Sequence, residues 1–347
     1  MEDRQESKFI QILGELLPNA SVRLSKQVPG AECLGVDIIA QASWSGVEKT
    51  LCVEVKSSGQ PAHVERAAAH LPSTFLSDPS LYYVFAAPYV SPRAMSTCRE
   101  RGIGCIDLLG NCYLSFDNVY VDRRVEGKPD SERRMLRSLF SPVSSRVVRA
   151  MLEDPLRRWR LAELSEAADA SLGQVYKVSE RLCADRFAEK ERRLGLRLTD
   201  PSGLLDVWRE EYDLVSQSQI YSFYSPERSP GLLMDTVRSA AEQLGLGYAF
   251  TLHAGASLVA PHVRFADVHF YFEGNLDSWV DAVGLSLVEM GGNTHLIAPY
   301  DSGVFYAERH VNDKSVVGNV QLYLDLWKYP ARGREQAQYL RESEIRY

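Results

Sequence analysis

Asp37, Glu54 and Lys56 are ionisable residues set inside apolar runs, Gly35-Val36-Asp37-Ile38-Ile39 and Leu51-Cys52-Val53-Glu54-Val55-Lys56. A charge in an apolar strand is costly to bury unless it is paired or bound to a metal, so three of them point to a site rather than to a surface. Ser45-Gly46 is a favourable two-residue hairpin centre, and in such a hairpin facing positions sum to a constant, here 91. Asp37 then faces Glu54 across the two strands, and the strand period of two puts Lys56 on the same face. Two carboxylates that share a site repel unless a proton or a divalent cation lies between them, and their oxygens suit Mg²⁺ or Mn²⁺. A lysine beside such a cation could orient the attacking water or stabilise the charge developing on a scissile phosphate. That is the chemistry of phosphodiester hydrolysis.

The surrounding segments must position these groups. Phe9, Ile10, Ile12, Leu13, Leu16 and Leu17 form an amphipathic helix that carries Glu15 and stops at Pro18. Val22 to Val28 reads as a first strand, the Asp37 and Glu54 hairpin follows, and Ala62 to Leu71 reads as a helix with His63 and His70 facing solvent. Leu81 to Ala87 is a continuous apolar run expected of a strand buried on both faces, Ser91-Pro92-Arg93 opens another helix, and Ile103 to Leu108 is a further strand. Asp107 is expected to bond the turn that follows it. The order of elements and the Asp, then Glu-x-Lys pattern of Asp37, Glu54 and Lys56 resemble the PD-(D/E)XK, or restriction-endonuclease-like, nuclease superfamily. A Gly-Val pair precedes the Asp where that family loosely keeps a Pro. The resemblance implies an αβββαβ core, Mg²⁺ (or Mn²⁺) held by Asp37 and Glu54, a catalytic role for Lys56, and in Glu15 the extra acid that some members project from the first helix. Many such domains have lost activity and serve as binding platforms.

The chain has 347 residues, which suggests two or three domains, and its apolar content of 45% is that of an ordinary globular protein. No apolar run is long enough to span a membrane and no secretory signal opens the chain, so a cytoplasmic location with no membrane partner is expected. The six cysteines lack C-x-x-C pairing, which fits packed, reduced thiols. A net charge of −7 argues against nucleic-acid binding by the whole chain, yet Lys and Arg outnumber Asp and Glu between residues 131 and 200.

Three domains are expected: a nuclease-like domain over 1–127, a DNA-binding domain over 131–203 and a mixed α+β domain over 204–347. In the basic middle, Ser145 to Leu152 and Leu161 to Ala168 read as helices, and Ser171 caps a third that runs to about Ala184. On that helix Val175, Val178 and Leu182 form a buried stripe, and Gln174, Lys177 and Arg181 a separate outward one. Phe187 to Leu198 reads as a hairpin or wing. Three helices and a wing describe a winged helix-turn-helix, in which Ser171 to Arg181 would enter the major groove of double-stranded DNA. Gln174, Lys177 and Arg181 would read bases there, while Arg192, Arg193 and Arg197 hold phosphates. A winged helix used for protein contacts is the alternative.

Beyond residue 204, a helix at about Pro230 to Leu244 and strands at Ala249 to Leu252, Val268 to Phe272, Leu285 to Val288 and Gly303 to Ala307 are expected, with a terminal helix near Gly333 to Ser343. The winged helix, followed by Leu252-His253-Ala254-Gly255-Ala256-Ser257, Tyr323-Leu324-Asp325-Leu326 and Arg332-Gly333-Arg334-Glu335, resembles the AbiEi family of type IV antitoxins. That resemblance implies transcriptional regulation in bacterial defence and a nucleotidyltransferase toxin as partner. His253, His262 and His269 lack ligand-like spacing and are read as structural. Three functions follow: a DNA-binding, Mg²⁺-dependent nuclease, an antitoxin-type regulator whose nuclease fold is inactive or an extra DNA grip, or a scaffold that binds another protein through the acidic C-terminal face.

Overall fold

The computed structural model describes residues 2–17, 20–24, 35–44, 47–72, 74–191 and 195–347. The Ser45-Gly46 turn, Cys33, the end of the expected first strand, Arg192 and Arg193 lie outside the described residues. The chain forms two compact units, residues 1–135 with 182–186, and residues 136–181 with 187–347.

The first unit is built on a seven-stranded sheet whose spatial order is its chain order. Its elements are α1 (Glu2–Leu16), β1 (Ala20–Leu24), β2 (Ile38–Trp44), β3 (Val47–Val55), α2 (Pro61–Ala69), α3 (Thr74–Ser77), β4 (Leu81–Ala87), α4 (Pro92–Glu100), β5 (Gly104–Asp107), β6 (Cys112–Phe116) and β7 (Val119–Arg123). β3, β4 and β5 run parallel, and the flanking pairs run antiparallel. A parallel pair needs a crossover, supplied here by α2 with α3 and then by α4. β4 is buried along nearly its whole length because helices cover both of its faces. On one face Phe9, Leu13 and Leu17, spaced by four, pack on Ile38, Ala40, Leu51, Val53 and Val84. On the other, Val64 and Ala67 of α2 and Ala94, Met95 and Cys98 of α4 pack on Ile39, Cys52, Tyr83 and Phe85. Ser91 caps α4 by accepting the Ala94 N–H at 3.2 Å, and Pro92 occupies the first turn. Burial pushes the Cys52 and Cys112 thiols up to about 12, so both stay protonated and packed.

Asp107 is fully buried and bonds as its sequence context suggests. Its oxygens accept from the backbone N–H groups of Leu109, Asn111 and Val90 and from the Asn111 amide.

α5 (Asp130–Leu139) leads into α6 (Pro142–Glu153), α7 (Leu161–Ala167), α8 (Leu172–Ala184) and the antiparallel pair β8 (Ala188–Glu191) and β9 (Gly195–Leu198). Trp159 adds a bridge to Leu196. Val175, Val178 and Leu182 of α8 are buried, as their spacing requires. α9 (Pro201–Glu211), capped by Asp200, and α10 (Leu214–Gln217) follow.

The remaining elements are β10 (Gln219–Tyr224), α11 (Pro230–Leu244), β11 (Tyr248–Thr251), α12 (Leu252–Val259), β12 (Val268–Phe272), α13 (Leu276–Val283), β13 (Ser286–Leu287), β14 (Thr294–Ala298), β15 (Arg309–Val311), β16 (Lys314–Val316), α14 (Asn319–Trp327) and α15 (Gly333–Leu340). The strands make a mixed sheet ordered β13-β10-β14-β12-β11-β16-β15. One expectation fails here. Gly303 to Ala307 is not a strand, because Asp301 accepts the Gly303 N–H at 2.8 Å and winds Ser302–Phe305 into a short 3₁₀ turn. Leu252 to Ser257 lies in α12, and β14, β15 and β16 have no counterpart in the sequence reading.

The boundary expected near residue 204 falls inside the second unit, which polar contacts knit together. α14 is packed by α6, α9, α12 and α15, and Val320 to Leu326 are all buried. At its centre Asp325 accepts hydrogen bonds from Tyr212 Oη (2.6 Å), Thr251 Oγ1 (2.5 Å), Gln321 Nε2 (2.7 Å) and Tyr271 Oη (3.1 Å). Gln321 Oε1 in turn accepts from Arg149 Nη2 at 2.7 Å, and Arg149, fully buried on α6, also donates to Tyr300 Oη at 2.8 Å. Arg146 grips Asp301 with two hydrogen bonds at 2.7 and 2.8 Å.

Candidate active site

In the first hairpin Ile38 faces Val53 and Ile39 faces Cys52, the register in which facing positions sum to 91. Extended by one residue, it sets Asp37 across from Glu54. Both belong to the sheet face that carries Ile39, Cys52 and Tyr83, and Lys56 follows on that face by the period of two. The Asp37 N–H donates to the Val53 carbonyl at 2.9 Å, and Asp37 Oδ2 accepts the Val55 N–H at 2.7 Å, which fixes this carboxylate against the strand. Tyr83 Oη donates to one oxygen of Glu54, and the Lys56 ammonium pairs with the other. Burial, followed by the Glu54 bond and charge, pushes the Tyr83 hydroxyl well above its ordinary range, so it remains a donor.

A cavity of about 410 Å³ opens beside these groups. Glu54, Lys56 and Tyr83 line it from the sheet, and His63, Arg66 and His70 line it from α2 and its C-cap. His70 is exposed as expected and His63 is half-buried, and both line this cavity. The signal was available in the spacing, since positions 63, 66, 67 and 70 lie on one helical face. Burial, then the charges of Arg66 and Lys56, lowers the His63 pKa below its ordinary value, so its ring is neutral at pH 7.

Glu15 does not join this constellation. α1 lies against the opposite face of the sheet, and the exposed Glu15 accepts a hydrogen bond from Gln11 Nε2 at 3.1 Å. The expected extra acid is thus displaced for a topological reason: a helix on one layer cannot project a side chain through the sheet to the other.

The donor chemistry of the site suits a hard cation. Among the described residues no group of three or more His, Cys, Asp or Glu is gathered for a metal. Mg²⁺ does not require one, because it keeps several waters and is commonly held by one or two carboxylates. Asp37 and Glu54 are the two carboxylates that would supply such oxygens; Glu54 is engaged here by Lys56 and Tyr83, and Asp37 Oδ2 by the Val55 N–H.

In the second unit, Ser171 Oγ accepts the Gln174 N–H at 3.2 Å at the start of α8. The outward stripe is divided: Lys177 is exposed, Arg181 is half-buried, and Gln174 donates to Ser144 Oγ at 2.6 Å. Arg197 pairs with Glu189 on the neighbouring strand. Tyr176, half exposed on α8 and covered by Lys190 at 4.9 Å, is a surface aromatic that the sequence reading passed over. His253 and His269 both pack edge-on against Tyr329, at 5.5 and 5.4 Å, and His269 stacks on His295 at 4.3 Å, whereas His262 stands apart, stacked on Tyr339.

A scan against protein-family models and searches of curated proteins and of solved structures return no match to this chain. Among the described residues no helix is long and apolar enough to cross a membrane.

Proposed function

We propose that the first unit is a Mg²⁺-dependent nuclease of the PD-(D/E)XK type and that α8 places the protein on double-stranded DNA. The observation that carries this reading is the hairpin register, which sets Asp37 opposite Glu54, with Glu54 and Lys56 at the wall of a cavity. A divalent cation held by the two carboxylates would polarise a phosphodiester oxygen and lower the pKa of a bound water. The chain's own groups do the rest. Val55 orients Asp37, Tyr83 orients Glu54, and Lys56, released from Glu54, meets the charge that develops on the phosphate. Purified protein incubated with plasmid should nick or linearise it with Mg²⁺ or Mn²⁺ and leave it intact in EDTA. Intact plasmid with both metals removes the nuclease reading.

A second reading, an antitoxin-type regulator paired with a nucleotidyltransferase toxin, is favoured by the form of residues 142–198. There a helix with a buried apolar stripe and an exposed Lys177 is followed by a β-hairpin. In a gel shift without Mg²⁺, changing Lys177 and Arg181 together to Ala is expected to weaken duplex binding about tenfold and to relax its sequence preference. Binding that ignores the double change would exclude α8 as the reading element.

A further inference from the structure

The cavity beneath α2 holds more cationic and imidazole groups than hydrolysis at Asp37 and Glu54 uses. His63, Arg66 and His70 sit at spacings of three and four, so one face of α2 and its cap presents all three to the groups on the sheet. Glu54 is the one carboxylate among the described lining residues, and it is already engaged by Lys56 and Tyr83. Among the described residues no carboxylate pairs with the Arg66 guanidinium, and the His63 ring makes no hydrogen bond. His70 Nδ1 donates to the Arg66 carbonyl at 2.7 Å, which leaves Nε2 as the atom available to a ligand. The charge left over in the cavity is positive. A guanidinium is matched in shape and charge to the oxygens of a phosphate, and a volume of about 410 Å³ is that of a small-ligand site.

We propose that this face of α2 is a phosphate clamp, in which Arg66 grips backbone phosphate oxygens of a nucleic-acid strand and His63 and His70 line the seat. The clamp rests on the nuclease reading for the identity of its ligand, but its test requires no cleavage. The full chain, in EDTA, is titrated with a thymidine pentanucleotide while the imidazole signals of its seven histidines are followed by NMR. His63→Gln and His70→Gln assign the two resonances of interest. The expected result is a saturable shift of both, with the histidines of the second unit unmoved, and about tenfold weaker binding in the exposed Arg66→Ala variant, the loss of one charge-assisted contact. Glu54→Gln removes the opposing charge and should tighten binding several-fold in the same buffer.

No shift, or equal affinity in Arg66→Ala and wild type, overturns the clamp. So does inorganic phosphate binding as tightly as the pentanucleotide, which would make the seat a general anion trap. Because these readouts are taken without metal, a failed clamp with active cleavage, or a working clamp without cleavage, separates the two claims.

Discussion

Replacing Asp325 by alanine is expected to cost about 3 to 5 kcal/mol of unfolding free energy, measured by denaturant titration of the full chain and read on the transition of the second unit. Four donors converge on this carboxylate, from Tyr212, Thr251, Tyr271 and Gln321, and all of those groups are buried. Truncation strands them, and each buried polar group left unpaired carries a penalty of about 1 to 3 kcal/mol before relaxation. Gln321 would also lose the acceptor that orients it towards Arg149, leaving a buried guanidinium less well compensated. A loss below about 1 kcal/mol would show that the network is not what joins α6, α9 and α14.

The same residue sets a pH dependence. Burial raises the Asp325 pKa to about 6 although every hydrogen bond it accepts pulls the other way. An unfolded aspartate titrates near 3.9, so the folded state holds the proton more tightly. The contribution is therefore full below about pH 4 and is lost as pH rises through about 6. Relative to Asp325→Asn, wild type should lose roughly 2 to 3 kcal/mol of its advantage over that window.

Lys56→Ala is expected to lower the rate of plasmid cleavage in Mg²⁺ by about a hundred- to a thousandfold, the range seen when one preorganised group that stabilises developing charge is removed. The side chain is 41% exposed, so the substitution leaves the fold intact and far-UV circular dichroism should not change. Cleavage by Lys56→Ala at the wild-type rate would mean that the ammonium only neutralises Glu54. It would also point to a contaminating nuclease or to a different site.

The parts of this molecule that could be read from its sequence are those governed by local rules. A two-residue turn and a strand period of two fixed the facing of Asp37 and Glu54, and the apolar run Leu81 to Ala87 announced a central strand. The stripe of Val175, Val178 and Leu182 announced the buried face of α8. What could not be read depended on layers brought together from distant segments. Which side of the sheet α1 covers decides the fate of Glu15, and no periodicity in residues 2–16 carries that information. His63 looked solvent-exposed because its helix was considered alone, without the sheet that supplies the cavity's other wall. The Arg149, Gln321 and Asp325 network joins residues more than 170 positions apart, and its members were unremarkable singly. β14 was missed because a short strand that pairs with distant partners leaves little trace in its own composition, and β15 and β16 because each arm of their hairpin is only three residues long.

The measurement closest to the central claim is a Mn²⁺ titration of the full chain followed by electron paramagnetic resonance, wild type beside the double variant Asp37→Asn with Glu54→Gln. If the two carboxylates that face each other across the first hairpin share a cation, wild type binds one more Mn²⁺ per chain than the double variant, and Mg²⁺ competes for that site. Equal stoichiometry and affinity in the two proteins would contradict it.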